Sequence, residues 1–318
     1  MCNDTQFALK DKLTVIVNSC DAYEDLWFPF FSLYKKYWGD NNVRLILNTE
    51  SKEFYFEGLD IECIHSTDKK YGARILNTLS EVHTEYVLLL LDDFFLRKPV
   101  DMARVCDIIK WMNEDSQIAY FNSDCTDVYA EWEVDHYPGF RRIPPGSEYV
   151  LNLQAAIWRK EVLQEYWKTD ISPWEWEIFV NMRTFLENEK KFYCTTDWRY
   201  SICDYGYNAD GMGVFRGKWV IQDVAPLFEK ENLIVDFSKR GVYDPENDCV
   251  SINTNTRKAW FNCLIRCVGV YSVFLYIIYR LYYKACAFLG VDEEADFVTF
   301  MQKRAQRRFL KQFGEEIQ

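Results

Sequence analysis

Tyr86–Leu91 (YVLLLL) is the segment that most limits what this chain can fold into. A run with no polar face cannot be a half-solvated strand; it needs cover on both sides, as in a parallel sheet between helices. Its shortness marks a strand rather than a helix. Asp92 and Asp93 follow at once. Adjacent carboxylates at the end of a buried strand repel each other unless a cation or donors hold them. In open α/β sheets, ligands gather at that end of the strands.

The neighbouring segments fit this reading. Leu13–Asn18, Val43–Asn48, Ile61–His65 and Ile118–Asn122 are short apolar runs that read as strands. Leu26–Trp38, Ala73–His83 and Met102–Asn113 carry helical spacing, with Pro29 expected in a first turn. Strands alternating with helices predict an α/β, Rossmann-type, mostly parallel sheet flanked by helices. Residues 123–149, with TyrProGlyPhe and ProProGly, read as one long loop. Leu151–Trp158 then reads as a strand, and Lys160–Lys168 and Trp174–Leu186 as helices.

Composition narrows the functions. The chain has 318 residues, 49% hydrophobic and 17% aromatic, enough for a sizeable core. Its net charge of −12 argues against nucleic acid as a partner, since phosphate backbones need a basic surface. The charge is uneven. Residues 257–318 hold 10 Lys/Arg against 6 Asp/Glu, a balance of +4, and residues 1–256 carry −16. This divides the chain into a domain over 1–256 and a helical, partly basic and apolar appendage over 257–318. The 11 cysteines form no CxxC pair and there are 3 histidines, which argues against a zinc site or a disulfide framework. The amino-terminal residues lack an apolar signal core, so a reducing, cytoplasmic setting is expected.

Five features carry chemistry. Asp92-Asp93 suits a hard divalent cation, Mg²⁺ or Mn²⁺, shared with substrate phosphates. TyrGlyAlaArg (71–74) opens a helix, where anions are favoured, and offers Arg74 as a phosphate contact; a solvated arginine is the plainer alternative. Ser19, Cys20 and Asp21 follow the first strand at the same sheet end; Asp21 can bind a nucleobase or ribose, or simply cap a helix. Glu175 and Glu177, in ProTrpGluTrpGlu, offer a general base or a helix-start carboxylate. Lys218, in ArgGlyLysTrp, can face a leaving diphosphate or lie on a surface turn.

GlyAlaArg, a helix, and then GluTyrValLeuLeuLeuLeuAspAsp resemble a stretch of family-2-like GT-A glycosyltransferases. LTVIVNSCDAYEDLWFPFF, LeuAspAspPhePhe, NLQAAIWRKEVL, ProTrpGluTrpGlu and ArgGlyLysTrp, in that order, resemble bacterial polysaccharide-biosynthesis transferases over about residues 12–225. The resemblance implies transfer of a sugar from a nucleoside-diphosphate donor to a hydroxyl of a glycan or lipid-linked glycan, metal-assisted and inverting. It implies that Ser19, Asp21, Arg74 and Asp92 hold the nucleotide and diphosphate, and that Asp93 binds the cation. Glu177, with Glu175 nearby, matches the base, and Lys218 and Trp219 close over the donor. Phe94 departs from the family pattern, which places Asp at alternate positions.

Val268–Leu289 is mostly apolar but includes Arg280 and Lys284, and LysArgAlaGlnArgArg (303–308) follows. It reads as a helix on an anionic membrane surface, as a core or dimer helix, or as a membrane span. Two rivals to the transferase share its fold: a non-catalytic glycan-binding scaffold and a sugar-phosphate nucleotidyltransferase. The second should carry a glycine-rich loop after the first strand, where this chain has SerCysAspAlaTyr.

Overall fold

A computed structural model describes residues 9–123, 136–144, 150–167, 170–186, 189–206 and 212–244, and eight helical positions between 265 and 282. Otherwise the expected appendage lies outside the described residues.

Eight strands form one sheet: β1 (Leu13–Asn18), β2 (Arg44–Thr49), β3 (Ile61–His65), β4 (Tyr86–Leu91), β5 (Ile118–Asn122), β6 (Phe140–Ile143), β7 (Ala156–Arg159) and β8 (Lys191–Thr195). Their order is β3-β2-β1-β4-β7-β5-β8-β6. The half from β3 to β4 is wholly parallel, and β5 pairs with β8 in parallel. β7 and β6 run antiparallel to their neighbours.

Alternation along the strands builds two cores. Leu13, Val15 and Val17 of β1, with Tyr86, Leu88 and Leu90 of β4, face helices α1 (Glu24–Trp38) and α3 (Met102–Glu114). Ile16, Val87 and Leu89 face the other way, toward α2 (Tyr71–Ser80) and α4 (Lys160–Tyr166). Helices on both faces let β1 and β4 dispense with a polar side. α4 is followed by α5 (Pro173–Glu175), a π-helical turn (Trp176–Val180) and α6 (Asn181–Leu186). Past β8 comes a hairpin, β9 (Val214–Phe215) and β10 (Lys218–Trp219), and then α7 (Ile221–Lys230). Arg216 (φ 51°) and Gly217 (φ 78°) form its tip; two positive φ values make the turn that suits a tight hairpin.

Three expectations are corrected. α1 begins at Glu24, so Pro29 lies inside the helix rather than in its first turn, and the carbonyl of Asp25 receives no N–H from it. The stretch expected as one loop contains β6, whose Arg141 and Arg142 hide the strand signal. The strand expected from Leu151 starts at Ala156, because residues 151–153 turn to meet α6 and the π-helical turn.

Candidate active site

The chain runs outward from β1 through β2 to β3, then returns to place β4 on the other side of β1. The connections therefore part above the carboxyl ends of β1 and β4, leaving a crevice where such sheets bind ligands. Ser19 follows β1 and Asp92 follows β4, and the Ser19 hydroxyl donates to Asp92 Oδ2 across that crevice. Trp27 Nε1 of α1 donates to the same serine oxygen at 2.6 Å, fixing its direction. Asp92 is 3% exposed. Burial, and then the charge of Asp93, push its carboxyl well above the usual range, with the Ser19 bond pulling the other way. Asp93 is half-buried, and burial pushes it to about 7. Its carbonyl accepts the Gly213 amide at 2.6 Å. A Cβ on Gly213 would stand 2.2 Å from the Phe95 ring, so only glycine lets the chain pass this close.

Arg240, which follows the 3-10 turn Phe237–Lys239 beyond α7, is one of two residues here that sequence reasoning missed. Its guanidinium grips Asp25 through two nitrogens, Nε at 2.9 Å and Nη2. It also donates to the carbonyls of Gly217 and Ala22, each at 3.2 Å. It lies 4.5 Å from the Tyr23 ring centre and 5.7 Å from that of Trp219. Its charge favours the ionised form of both Asp92 and Asp93. Tyr23 sits beside the same pair; burial and then the Asp93 and Asp92 charges raise its phenol to about 12. Nothing in the sequence around Arg240 distinguishes it from a solvated arginine.

A second cluster lies over β2. Asp21 Oδ1 accepts the backbone N–H groups of Glu50 and Ser51, each at 3.1 Å, and Ser51 Oγ donates to Asp21 Oδ2 at 2.6 Å. These bonds hold the Asp21 carboxyl below its ordinary value against the opposing effect of burial. Arg74, 6% exposed, pairs with Glu50, which also accepts the Asp21 amide. Arg74 Nε is buried without a partner. Glu50 thus links two predicted residues and was itself unmarked in the sequence. Gly72 gives its N–H to Ile171 at 3.2 Å.

Glu177 and Glu175 separate in role. Glu175 closes a capping box with Ser172, accepting its amide at 2.9 Å. Glu177 accepts the Leu153 amide at 2.8 Å, and burial raises its carboxyl. It lies near the half-buried Tyr71, whose phenol pKa rises through burial and then the charges of Glu177, Asp92 and Asp93. Tyr71 accepts from Asn18, whose Oδ1 accepts from Asn48 at 2.6 Å. Tyr71 is therefore within electrostatic reach of both the acidic pair and Glu177. Lys218 lies beside the hairpin tip, paired with Phe215 across the hairpin. Trp219 is fully buried, stacked on Phe95 at 6.2 Å and edge-on to Phe237 at 5.4 Å.

Among the described residues no group of three or more His, Cys, Asp or Glu side chains is placed to hold a metal ion. Two adjacent carboxylates, both resisting ionisation, still fit Mg²⁺ or Mn²⁺, which such sites bind by one or two carboxylates plus substrate phosphates.

No protein-family model matches the chain, and no curated protein matches it. Among solved structures it is similar to residues 1–349 of S. aureus TarS, at 11% identity and TM-score 0.44, covering 96% of this chain and 92% of that one. It is similar to the mannosyltransferase PcManGT from Pyrobaculum calidifontis in complex with GDP-Man and Mn²⁺, at 11% identity and TM-score 0.40, covering 98% and 89%. A cytidylyltransferase from Leptospira borgpetersenii gives 11% identity and TM-score 0.37 over 61% and 81%. Likenesses at these identities and scores assign the chain to no family.

Proposed function

We propose that the protein transfers a sugar from a nucleoside-diphosphate donor to a hydroxyl of a glycan or lipid-linked glycan. One observation carries the reading: an acidic pair, the buried Asp92 bonded to Ser19 and the half-buried Asp93 beside it, under the charge of Arg240 at the point where the sheet connections part. An anionic diphosphate and its divalent cation complement such a pair. In this reading the cluster over β2, with Arg74 and its unpartnered Nε, takes the nucleotide.

In this scheme Asp93, assisted by Asp92, would hold the cation, which when bound supplies Lewis-acid stabilisation of the diphosphate. Glu177 takes the proton from the acceptor oxygen as that oxygen bonds to the anomeric carbon. The bond from that carbon to the donor diphosphate breaks, and the diphosphate leaves with the electron pair. Attack from the side opposite the leaving group inverts the anomeric centre. Lys218 balances charge on the departing diphosphate, and Arg240 fixes the hairpin that carries Lys218. Trp219, buried beneath Arg240, supports the guanidinium from below. Glu175 shapes the helix start and leaves the proton to Glu177. Asp21, held by residues 50–52, orders the loop that meets the nucleotide.

Calorimetric titration with UDP- and GDP-sugars in Mn²⁺ tests the reading. Expected is binding of one donor class that Asp93→Ala weakens at least tenfold. Absence of binding by any donor, or an Asp93→Ala protein that binds as tightly as the parent, overturns it. A glycan-binding scaffold would bind glycan and ignore donors.

A further inference from the structure

Three side chains at the carboxyl ends of β1 and β2 and the start of α2 form a chain of hydrogen bonds that ends beside the crevice. Asn48 of β2 donates from Nδ2 to Asn18 Oδ1 at 2.6 Å. Asn18, the last residue of β1, donates from Nδ2 to the Tyr71 oxygen. Both asparagines are buried, whereas Tyr71 is half-buried. A phenol that accepts one bond still has a hydrogen of its own to give. Among the described residues no acceptor takes that hydrogen. Packing needs only the ring of Tyr71; the hydroxyl answers Asn18 and leaves its hydrogen over.

Tyr71 is tied to both halves of the site. On one side Asn18 precedes Ser19, whose hydroxyl donates to Asp92. On the other the Tyr71 ring lies 5.3 Å from that of Trp167, which stacks on Trp176 at 4.8 Å, and Glu177 follows Trp176 in the sequence. The Arg74 guanidinium lies 5.9 Å from the Tyr71 ring centre. Burial, and then the charges of Glu177, Asp92 and Asp93, raise the phenol's pKa, so the hydroxyl keeps its hydrogen. In the sugar-transfer scheme the diphosphate lies at the acidic pair and the accepting oxygen at Glu177. The transferred sugar is bonded to the first and attacked by the second. It is therefore the part of the substrate that a donor tied to both can meet.

We propose that the Tyr71 hydroxyl donates to a hydroxyl oxygen of the donor sugar, and so selects donors that carry a hydroxyl at that position over their deoxy counterparts. The proposal rests on the sugar-transfer reading. A site built to hydrogen-bond a substrate hydroxyl is left with an unpaired polar group when that hydroxyl is missing, and it discriminates on that ground.

The test is calorimetric titration of the full-length parent and Tyr71→Phe, in Mn²⁺, with UDP-glucose, UDP-N-acetylglucosamine and GDP-mannose beside UDP and GDP. The variant keeps the ring against Trp167 and removes only the hydroxyl. Expected is that it binds the sugar-free diphosphate within about twofold of the parent and the matching sugar nucleotide about tenfold more weakly. In a series of that donor with each sugar hydroxyl replaced by hydrogen in turn, one compound should bind parent and variant alike. A variant that binds the intact sugar nucleotide as tightly as the parent overturns the inference. So does an equal loss for the sugar-free diphosphate, which would give the Tyr71 hydrogen to a phosphate oxygen, and so does an equal loss across every deoxy compound. A parent that binds none of the diphosphates overturns the sugar-transfer reading itself, and the inference with it.

Discussion

Asp93 holds a proton over a pH interval in which the unfolded chain has released it, because burial lifts the group from 3.8 to about 7. The stability this contributes is complete below about pH 4 and is lost as pH climbs through about 7. Asp92, also raised, acts in the same direction. Asp93→Asn removes this titration. Without metal, the variant should melt above the parent near pH 8, with the gap closing toward about pH 4. Melting curves at both pH values check this; a gap that ignores pH refutes it. Glu177 is raised by burial as well, yet a base must be ionised to act, so turnover should increase with pH through its shifted value. Glu177→Gln should lower turnover by about 10²–10⁴ while donor affinity stays nearly constant. Steady-state rates beside donor titrations separate these; an equal fall in affinity would place Glu177 in binding rather than proton transfer.

Arg240 is a short strap joining the first turn of α1, the β9–β10 hairpin and the turn after α7. Arg240→Ala would leave Asp25, whose side chain is 13% exposed, without its cation, at a cost of about 3–5 kcal/mol. Arg240→Lys should fall between, because an ammonium cannot reproduce the two-nitrogen grip. Urea unfolding of both measures this ordering. The strap also shows where reading the sequence stops. Strands β1, β2, β4 and β5 were legible because burial on both faces writes apolar runs, and β3, an outer strand with Glu62 exposed, through Ile61, Cys63 and Ile64 alone. β6 (FRRI) was not, because Arg141 and Arg142 interrupt it at the far edge of the sheet, and β8 (KFYCT) was not, because its apolar run is only Phe192–Cys194 behind Lys190 and Lys191. Asp92 and Asp93 stood out as candidates because they follow β4 directly, and Glu177 because it falls near a helix start, each with a chemical reason to be there. Glu50 and Arg240 were not. The bond between Asp21 and Glu50 spans 29 positions and that between Asp25 and Arg240 spans 215, and local pattern holds no record of such pairs.

The crevice draws on segments from Ser19 to Arg240, so a ligand that fills it braces most of the domain at once. Nucleoside diphosphate with Mn²⁺ at about 100 times its dissociation constant should stabilise the protein by about 2.7 kcal/mol. Thermal denaturation should show an upward shift of several degrees, absent when Asp92 and Asp93 are both asparagine; a shift that survives in that double variant would separate ligand binding from the acidic pair. The same reach bears on how the protein is made. Asp25 waits 215 positions for Arg240. β4 waits until residues 156–159 emerge for the strand that covers its outer edge. Ribosomes add about 5–20 residues per second, so the parallel half-sheet spends several seconds of synthesis with an open, apolar border. The acidic crevice gains its internal cation only when translation has passed residue 240, after every strand of the sheet has been made.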